Sequence, residues 1–171
     1  MTGPGQVAGP AAMVTVPTAA AMRALGSRLA GLLRAGDLVI LIGDLGAGKT
    51  TLVQGIGAGL KVRGPVTSPT FVIARVLPSL SGGPDLVHAD AYRLSSPAEV
   101  DDLDLDETLD SSVTVVEWGG GLAEGLAADR LEVTITPVGQ GRNVQITGHG
   151  ERWSGVADSA FLALSGGLEG L

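Results

Sequence analysis

Residues 38–51 read LVILIGDLGAGKTT, and this stretch decides the fold. Its first five residues are apolar, which predicts a strand buried on both faces of a sheet. Residues 43–50 satisfy the pattern G-x-x-x-x-G-K-[ST], and a second apolar run predicts a helix over residues 50–60. A chance glycine-rich turn is the alternative in a chain with 27 glycines, but the flanking strand and helix disfavour it. The stretch therefore predicts a phosphate-binding loop.

The residues of this loop suit a complex of a nucleotide with magnesium. Glycines let backbone N–H groups turn toward the α- and β-phosphates, and the N-terminus of the following helix adds positive potential. Lys49 is placed to reach the β- and γ-phosphates, and the hydroxyl of Thr50 is placed to bind Mg²⁺. Lys49 is one of only two lysines in the chain, so composition does not explain its position.

Strand and helix patterns alternate in the first part of the chain, and strands cluster later. A helix is predicted after Thr18, a suitable N-cap, because apolar residues then recur every three or four positions. Strands are predicted at residues 71–77, 86–90 and 113–117, then a hairpin of 131–138 and 143–147 with its turn at 139–142, and a closing helix at 157–164. We therefore expect an α/β, three-layer P-loop nucleotide-binding fold with a mixed central sheet.

Length and composition suggest one globular domain. We expect a disordered leader at residues 1–12, a single domain at 13–165 and a flexible tail at 166–171. The chain has no cysteine, which excludes disulfides, thiolate zinc sites and cysteine nucleophiles. No apolar run is long enough to span a membrane and no secretory signal is recognisable, so we expect a cytoplasmic protein.

The charge balance argues against direct binding of nucleic acid. Acids outnumber bases by 18 to 11, and no basic stripe is present. Many of the acids fall in one stretch without a base, which is either a solvated helix face or a docking surface for a basic partner. The acids of this stretch are Glu99, Asp101, Asp102, Asp104, Asp106, Glu107 and Asp110. If nucleic acid is involved, we expect a partner to hold it.

Two carboxylates end predicted strands and are candidates for work on a metal ion or on water. Asp90 ends the strand at 86–90, and Glu117 ends the strand at 113–117. The sequence leaves open which of them contacts the metal and which orients the attacking water. His88 faces the same side of its strand as Asp90, and either a structural or a catalytic role is compatible with its position.

Other segments have both a functional and an ordinary interpretation. Residues 67–71 surround a proline with hydroxyl groups where many P-loop proteins place a nucleotide-sensing segment, although a simple turn is equally compatible. Arg93 is suited to stabilise phosphate charge or to pair with the acidic stretch. Trp118 is suited to stack on a base or a partner, or to pack in the core.

Taken in order, these motifs resemble one family, TsaE, the bacterial ATPase of tRNA threonylcarbamoyladenosine biosynthesis. The resemblance extends from about residue 14 to about residue 148 and is carried by GDLGAGKTT at 43–51, SPTF at 68–71, HADAYRL at 88–94, EW at 117–118 and Gly141-Arg142 in the late hairpin. It implies a small ATP hydrolase that works with the threonylcarbamoyl transferase TsaD and its paralogue TsaB. The implied role is formation of N6-threonylcarbamoyladenosine at position 37 of tRNAs that read ANN codons, with tRNA held only through the partners.

The resemblance also implies roles for individual residues. Lys49, Asp90 and Glu117 are implied as catalytic residues, with Thr50, Glu117 and Asp90 at the Mg²⁺. The residues implied to bind ATP are Gly43, Asp44, Leu45, Gly46, Ala47, Gly48, Lys49, Thr50, Thr51 and Arg142. Those implied in switching or partner contact are Ser68, Pro69, Thr70, Phe71, His88, Tyr92, Arg93 and Trp118. One departure is Asp104, where the family commonly has glycine, and it alters the expected turn or partner contact there.

Three other functions share some of these sequence features. A small-molecule kinase shares the loop but needs an arginine-rich lid, and the bases between the loop and Glu117 are few. A GTPase is disfavoured because the chain has no Asn-Lys-x-Asp segment. A nucleotide-gated assembly module with incidental hydrolysis is the alternative from a different class.

Overall fold

The computed structural model describes residues 10–44, 46–66, 74–90, 106–117, 128–156 and 158–171. Several predicted positions lie outside these residues: Leu45 in the phosphate loop, the segment Ser68, Pro69, Thr70 and Phe71, the pair Tyr92 and Arg93, and Trp118. Most of the acidic stretch, including Asp104, also lies outside them.

The described elements follow the predicted order of strands and helices. The strands are β1 (Ala11–Val16), β2 (Leu38–Ile42), β3 (Ala74–Leu77), β4 (Asp85–Asp90), β5 (Ser112–Glu117), β6 (Arg130–Val138) and β7 (Gly141–His149). The helices are α1 (Ala19–Ala30), α2 (Lys49–Leu60), α3 (Asp106–Leu109), α4 (Glu151–Ser154) and α5 (Asp158–Leu162). Two 3-10 helices follow at Ala163–Ser165 and Leu168–Gly170.

The strands form one seven-stranded sheet in the order β1-β7-β6-β2-β5-β4-β3. Strands β6, β2, β5 and β4 are parallel neighbours, whereas β7, β1 and β3 join by antiparallel pairing. The sheet is therefore mixed, and the α/β class predicted from the sequence is confirmed. The phosphate loop follows β2, which lies in the parallel centre of the sheet.

Both faces of the sheet are covered. On one face, side chains such as Val39 and Val115 belong to a single core cluster with apolar residues of α1 and α2. Leu38, Ile40 and Val116 alternate with these residues and so point to the opposite face, where they too are fully buried. Burial on both faces is what a three-layer arrangement requires.

Helix α1 begins as the sequence predicts. The side chain of Thr18 accepts a hydrogen bond from the backbone N–H of Ala21, which satisfies one donor of the first helical turn. The apolar positions Met22, Leu25 and Leu29 then face the core. Among the described helices, none is long and apolar enough to cross a membrane.

Helices α1 and α2 lie against each other so closely that their backbones touch. A Cβ at Gly26 would lie 2.8 Å from the backbone nitrogen of Ile56, and one at Gly59 would lie 2.8 Å from the carbonyl oxygen of Ser27. A Cβ at Gly55 would overlap the carbonyl group of Arg23. The glycines of α2 lower its intrinsic helix propensity, but they permit this close approach. Packing against α1 therefore explains why glycine occupies these helical positions.

A buried ion pair ties the C-terminal segment to the start of β2. Arg152 donates from Nε to Asp37 Oδ1 and from Nη2 to Asp37 Oδ2, both at 3.1 Å, and its Nη2 also donates to the carbonyl of Leu32 at 2.7 Å. Asp37 is only 4% exposed, and its carboxylate accepts a further bond from the backbone N–H of Arg34. The guanidinium also lies 4.3 Å from the ring centre of Trp153.

The structure differs from the predicted domain boundaries at both ends. Strand β1 begins at Ala11, inside the predicted leader 1–12, because Ala11 and Ala12 pair with Thr147 and Ile146 of β7. The predicted tail 166–171 packs against the domain: Leu168 is fully buried, and the hydroxyl of Thr18 donates to the carbonyl of Leu171 at 2.9 Å. Arg28 donates to the carbonyls of Leu164 and Gly166, which fixes the same segment to α1.

The late hairpin and the closing helix also differ in their limits. The turn consists of Gly139 and Gln140, so Gly141 and Arg142 begin β7 instead of lying in the turn. Arg142 pairs with Pro137 on one side and with Val16 on the other, because β1 extends the sheet beyond the hairpin. The closing helix is short, Asp158–Leu162, and continues as a 3-10 turn.

We predict that Gly55→Ala lowers the free energy of unfolding by about 1–3 kcal/mol, because the added methyl meets backbone that cannot move aside. Gly155→Ala is the matched control, since Gly155 has a negative φ and no heavy atom within 4 Å of an added Cβ. Urea denaturation measures both variants. Equal stability of the two variants would contradict the described packing.

We also predict that Arg152→Met costs about 3–5 kcal/mol, because the buried carboxylate of Asp37 loses its partner. The double variant Asp37→Asn/Arg152→Met should lose clearly less than the sum of the two single variants. Chemical denaturation of all three measures this coupling. Additive losses would show that the pair does not act as a unit.

Candidate functional site

The carboxyl ends of the parallel strands bring the predicted site residues to one edge of the sheet. Leu41, two residues before the loop, pairs with Glu117 of β5, and Glu117 pairs with Asp90 of β4. Arg142 joins the same edge, because β7 begins directly after the end of β6. Ligand sites of open α/β sheets form at this edge.

The phosphate loop turns tightly between β2 and α2. Gly46 and Gly48 have φ values of 80° and 107°, in the left-handed region that glycine adopts without strain. A Cβ at Gly43 would lie 3.0 Å from the carbonyl oxygen of Ile135, so the loop also passes close to β6. The backbone N–H of Ala47 donates to Asp44 across the turn, and α2 then begins at Lys49 with its first N–H groups directed at the loop.

Lys49 lies inside the loop and not on its surface. The residue is only 5% exposed, and its Nζ donates to the carbonyl oxygens of Gly43 at 2.6 Å and Asp44 at 3.0 Å. Burial lowers the pKa of the Lys49 ammonium below its ordinary value of 10.5, and the negative charges of Glu117, Asp90 and Asp44 oppose that shift. The cation is therefore shielded from solvent and interacts with nearby carboxylates.

Glu117 is the most central carboxylate of the site. It is 4% exposed, and the hydroxyl of Thr50 lies 3.5 Å from its Oε1, the long limit of a hydrogen bond. Its other oxygen, Oε2, is hydrogen-bonded to Nε2 of His88. Asp90 is half-buried on the neighbouring strand, at the register position beside Glu117.

His88 does not occupy the surface position that a partner-contact residue would need. It is fully buried, because β4 lies between β3 and β5 and the ring points toward the same side as Asp90. The shared side with Asp90 agrees with the sequence pattern. The ring contacts Glu117 directly, and the role of His88 in switching or partner contact stays a prediction.

Arg142 joins the loop from the other side. Its guanidinium donates from Nε to the carbonyl of Ala47 at 3.0 Å and from Nη2 to the carbonyl of Gly46 at 3.4 Å. Beside it lies a cavity of about 190 Å³. The cavity is lined by the β1–α1 junction (Val16, Pro17, Thr18, Ala19 and Met22), by Gly46, Ala47, Gly48 and Thr51 of the loop and α2, and by Gln140, Gly141 and Arg142.

The cavity wall at the β1–α1 junction was not predicted from the sequence. The available signal was Pro17-Thr18, a break between an alternating strand and a helix, which indicates that chain direction changes there. The sequence does not show that β1 pairs with β7. This pairing brings the break at Pro17-Thr18 next to Arg142.

The oxygen groups present fit a hard cation bound together with phosphates. Within the described parts of the chain, no three or more His, Cys, Asp or Glu side chains gather as a metal site of their own. Mg²⁺ is usually held by one or two protein groups, with waters and substrate phosphates filling its other positions. Thr50 Oγ1 and Glu117 Oε1 face each other at the mouth of the phosphate loop and meet that requirement.

We predict that the stability of the wild type relative to Lys49→Met rises with pH. The unfolded chain binds a proton at Lys49 more tightly than the folded chain, so the wild type gains stability between the lowered pKa and 10.5. Urea denaturation without nucleotide, from neutral pH up to 10.5, measures the difference. Lys61→Met, which removes the chain's other lysine, is the control, and the same pH trend in both variants would contradict the prediction.

Comparison with known proteins identifies the family. The family model described as threonylcarbamoyl adenosine biosynthesis protein TsaE matches residues 16–144. A tRNA threonylcarbamoyladenosine biosynthesis protein TsaE from Streptomyces coelicolor is 62% identical over 148 residues, covering 83% of this chain and 99% of the relative. The protein of the same name from Mycobacterium tuberculosis is 49% identical over 131 residues, 72% of this chain and 78% of the relative.

A solved structure agrees with the sequence comparisons. The crystal structure of Bacillus subtilis YdiB superimposes with a TM-score of 0.71 and 28% sequence identity, covering 92% of this chain and 95% of that one. The resemblance read from the motifs is thereby confirmed. The family model and these relatives together show that this chain belongs to the TsaE family.

Proposed function

We propose that this chain is a magnesium-dependent ATP hydrolase that acts in the biosynthesis of tRNA threonylcarbamoyladenosine. The single observation that carries the proposal is the position of Lys49, Thr50 and Glu117 around one phosphate-binding loop. Membership of the TsaE family supplies the biological setting, since the relatives carry that biosynthesis in their names.

The triphosphate is proposed to lie in the turn between β2 and α2. Backbone N–H groups of Gly46, Gly48 and the first turn of α2 supply donors, and Thr51 lies on the cavity side of the same turn. Lys49 now donates to two loop carbonyls, and phosphate oxygens would take over that ammonium group. A buried cation gains most from an anionic ligand, because its charge is poorly compensated by solvent.

The base of the nucleotide is proposed to enter the cavity beside Arg142. Val16, Pro17 and Met22 give this cavity an apolar wall suited to a flat aromatic ring. Arg142 bonds to the loop carbonyls of Gly46 and Ala47, so the guanidinium lies between the cavity and the loop, where a ribose or phosphate would pass.

The two carboxylates are proposed to have different roles, one in binding Mg²⁺ and the other in orienting water. Thr50 and Glu117 would hold Mg²⁺, which when bound would neutralise charge on the β- and γ-phosphates. Asp90, on the adjacent strand and less buried than Glu117, is suited to orient the attacking water or a water of the metal shell. Water would attack the γ-phosphorus in line as the bond to the β-phosphate oxygen breaks, and Lys49 would stabilise the charge on that oxygen of the leaving ADP.

The partners proposed are the transferase TsaD and its paralogue TsaB, with tRNA bound through them. The chain has a net charge of −7, which does not suit direct binding to a phosphate backbone. Few cationic groups surround the described site, so turnover is expected to be slow alone and faster when partners complete it.

We predict that purified protein releases phosphate from ATP, that TsaD and TsaB together accelerate the release, and that Lys49→Ala lowers it by about a hundredfold. Lys61→Ala is the control for loss of a lysine and should retain the wild-type rate. Phosphate release measured by a coupled assay gives all the rates. Absence of stimulation, with phosphate transferred to a small acceptor, would favour a kinase.

Glu117→Ala separates hydrolysis from nucleotide-gated assembly. If hydrolysis drives the modification cycle, this variant loses both phosphate release and support of tRNA modification. A variant that no longer hydrolyses ATP, yet assembles with the partners and supports modification, would identify ATP binding alone as the function.

A further inference from the structure

The contact between the side chains of His88 and Glu117 is almost completely buried from solvent. His88 lies on β4 and pairs with Val115 of β5, two residues before Glu117. Its ring therefore reaches along the sheet toward the site edge, where Nε2 is hydrogen-bonded to Glu117 Oε2. The side chains of His88 and Glu117 are only 1% and 5% exposed.

The chemistry of the contact assigns its donor. A carboxylate that binds a cation is ionised and only accepts hydrogen bonds, so in that state Nε2 carries the hydrogen and donates to Glu117. In the part of the chain that the structure describes, Nδ1 of the same ring is buried and has no hydrogen-bond partner. A buried polar atom without a partner is unfavourable, so an apolar side chain would fill this place better if packing were the only requirement.

We propose that His88 is a positioning residue, which holds Oε2 of Glu117 so that Oε1 stays turned toward the hydroxyl of Thr50 and the cation. This inference rests on the proposed function, because it takes Glu117 as the carboxylate of the metal site. His88 itself contacts neither nucleotide nor metal in this arrangement. It acts through Glu117, as the groups behind metal ligands commonly do.

Glu117 needs such a restraint because a competing group lies nearby. The negative charge of Glu117 acts on the ammonium group of Lys49, as do those of Asp90 and Asp44. A glutamate side chain has several rotatable bonds, and without a fixed partner it would turn toward that cation. A direct Glu117–Lys49 pair would draw the carboxylate away from the metal and the lysine away from phosphate.

The inference predicts a specific loss when the donor is removed. His88→Leu keeps the volume near that of histidine but cannot donate, so the gain in ADP affinity that Mg²⁺ gives should fall by about tenfold. His88→Gln places an amide N–H near the position of Nε2 and should restore that gain to within about threefold of the wild type. A role in packing alone would lower the melting temperature without changing the gain.

Isothermal titration of the full chain with ADP, in excess Mg²⁺ and in excess EDTA, measures the gain as a ratio of two dissociation constants. The control is His149→Leu, which removes another histidine–glutamate contact, His149 Nε2 to Glu132 Oε2 at 3.3 Å, on the hairpin. Thermal unfolding of every variant confirms that it is folded. The control should retain the wild-type ratio.

Glu117→Gln separates failure of this inference from failure of the proposed function. If Glu117→Gln loses the ratio while His88→Leu retains it, His88 does not position Glu117, and the metal role of Glu117 stands. If Glu117→Gln also retains the ratio, the proposed metal site is wrong and the inference falls with it. A ratio in His88→Gln as low as in His88→Leu would equally overturn the donor role.

If His88→Leu does not fold, the variants His88→Gln and His88→Asn test whether His88 positions Glu117. Asparagine has the same amide as glutamine but is one methylene shorter, so it cannot place its N–H where Nε2 lies. A wild-type ratio in His88→Gln with a reduced ratio in His88→Asn supports the inference. Equal ratios in these two variants would overturn it.

Discussion

The register of three neighbouring parallel strands, β2, β5 and β4, is the constraint on which the site depends. Leu41, Glu117 and Asp90 occupy neighbouring positions across β2, β5 and β4, so the loop and both carboxylates end at the same height of the sheet. A slip of one residue in either pairing would turn a carboxylate to the opposite face, because side chains alternate along a strand. Fully buried residues on both faces, such as Val39 and Ile40, make such a slip very unfavourable.

Charge burial is the main energetic cost of this arrangement. Lys49, Glu117 and His88 are all buried within one cluster, and their desolvation is offset by hydrogen bonds to loop carbonyls and to each other. The favourable free energy of the apolar core and of the glycine contact between α1 and α2 offsets the cost of burying this cluster. The buried charged groups thus lie at the edge of the sheet where the phosphate loop ends.

The sequence predicted those parts of the molecule whose cause is local. The apolar run of β2, the glycines of the loop and the cap at Thr18 act within a few residues, so their patterns are visible along the chain. Arg142 was expected in a turn but lies in β7, because pairing with β1 and β6 extends that strand. The tail at residues 166–171 was expected to be flexible, whereas Leu168 packs in the core and the carbonyl of Gly166 accepts a hydrogen bond from Arg28 of α1. Contacts between residues far apart in the chain produce no regular spacing of apolar residues, so they cannot be predicted from the sequence pattern.

The glycine contact between α1 and α2 has a consequence for how a ligand is recognised. Both helices run in the same direction from the site edge, since Arg23 lies beside Gly55 and Ser27 beside Gly59. With backbone against backbone, neither helix can slide past the other without a steric clash. The start of α1 borders the cavity, and the start of α2 forms the phosphate loop. The distance between these two ends is consequently fixed, and it would limit the length of a ligand that reaches from the cavity to the phosphate loop.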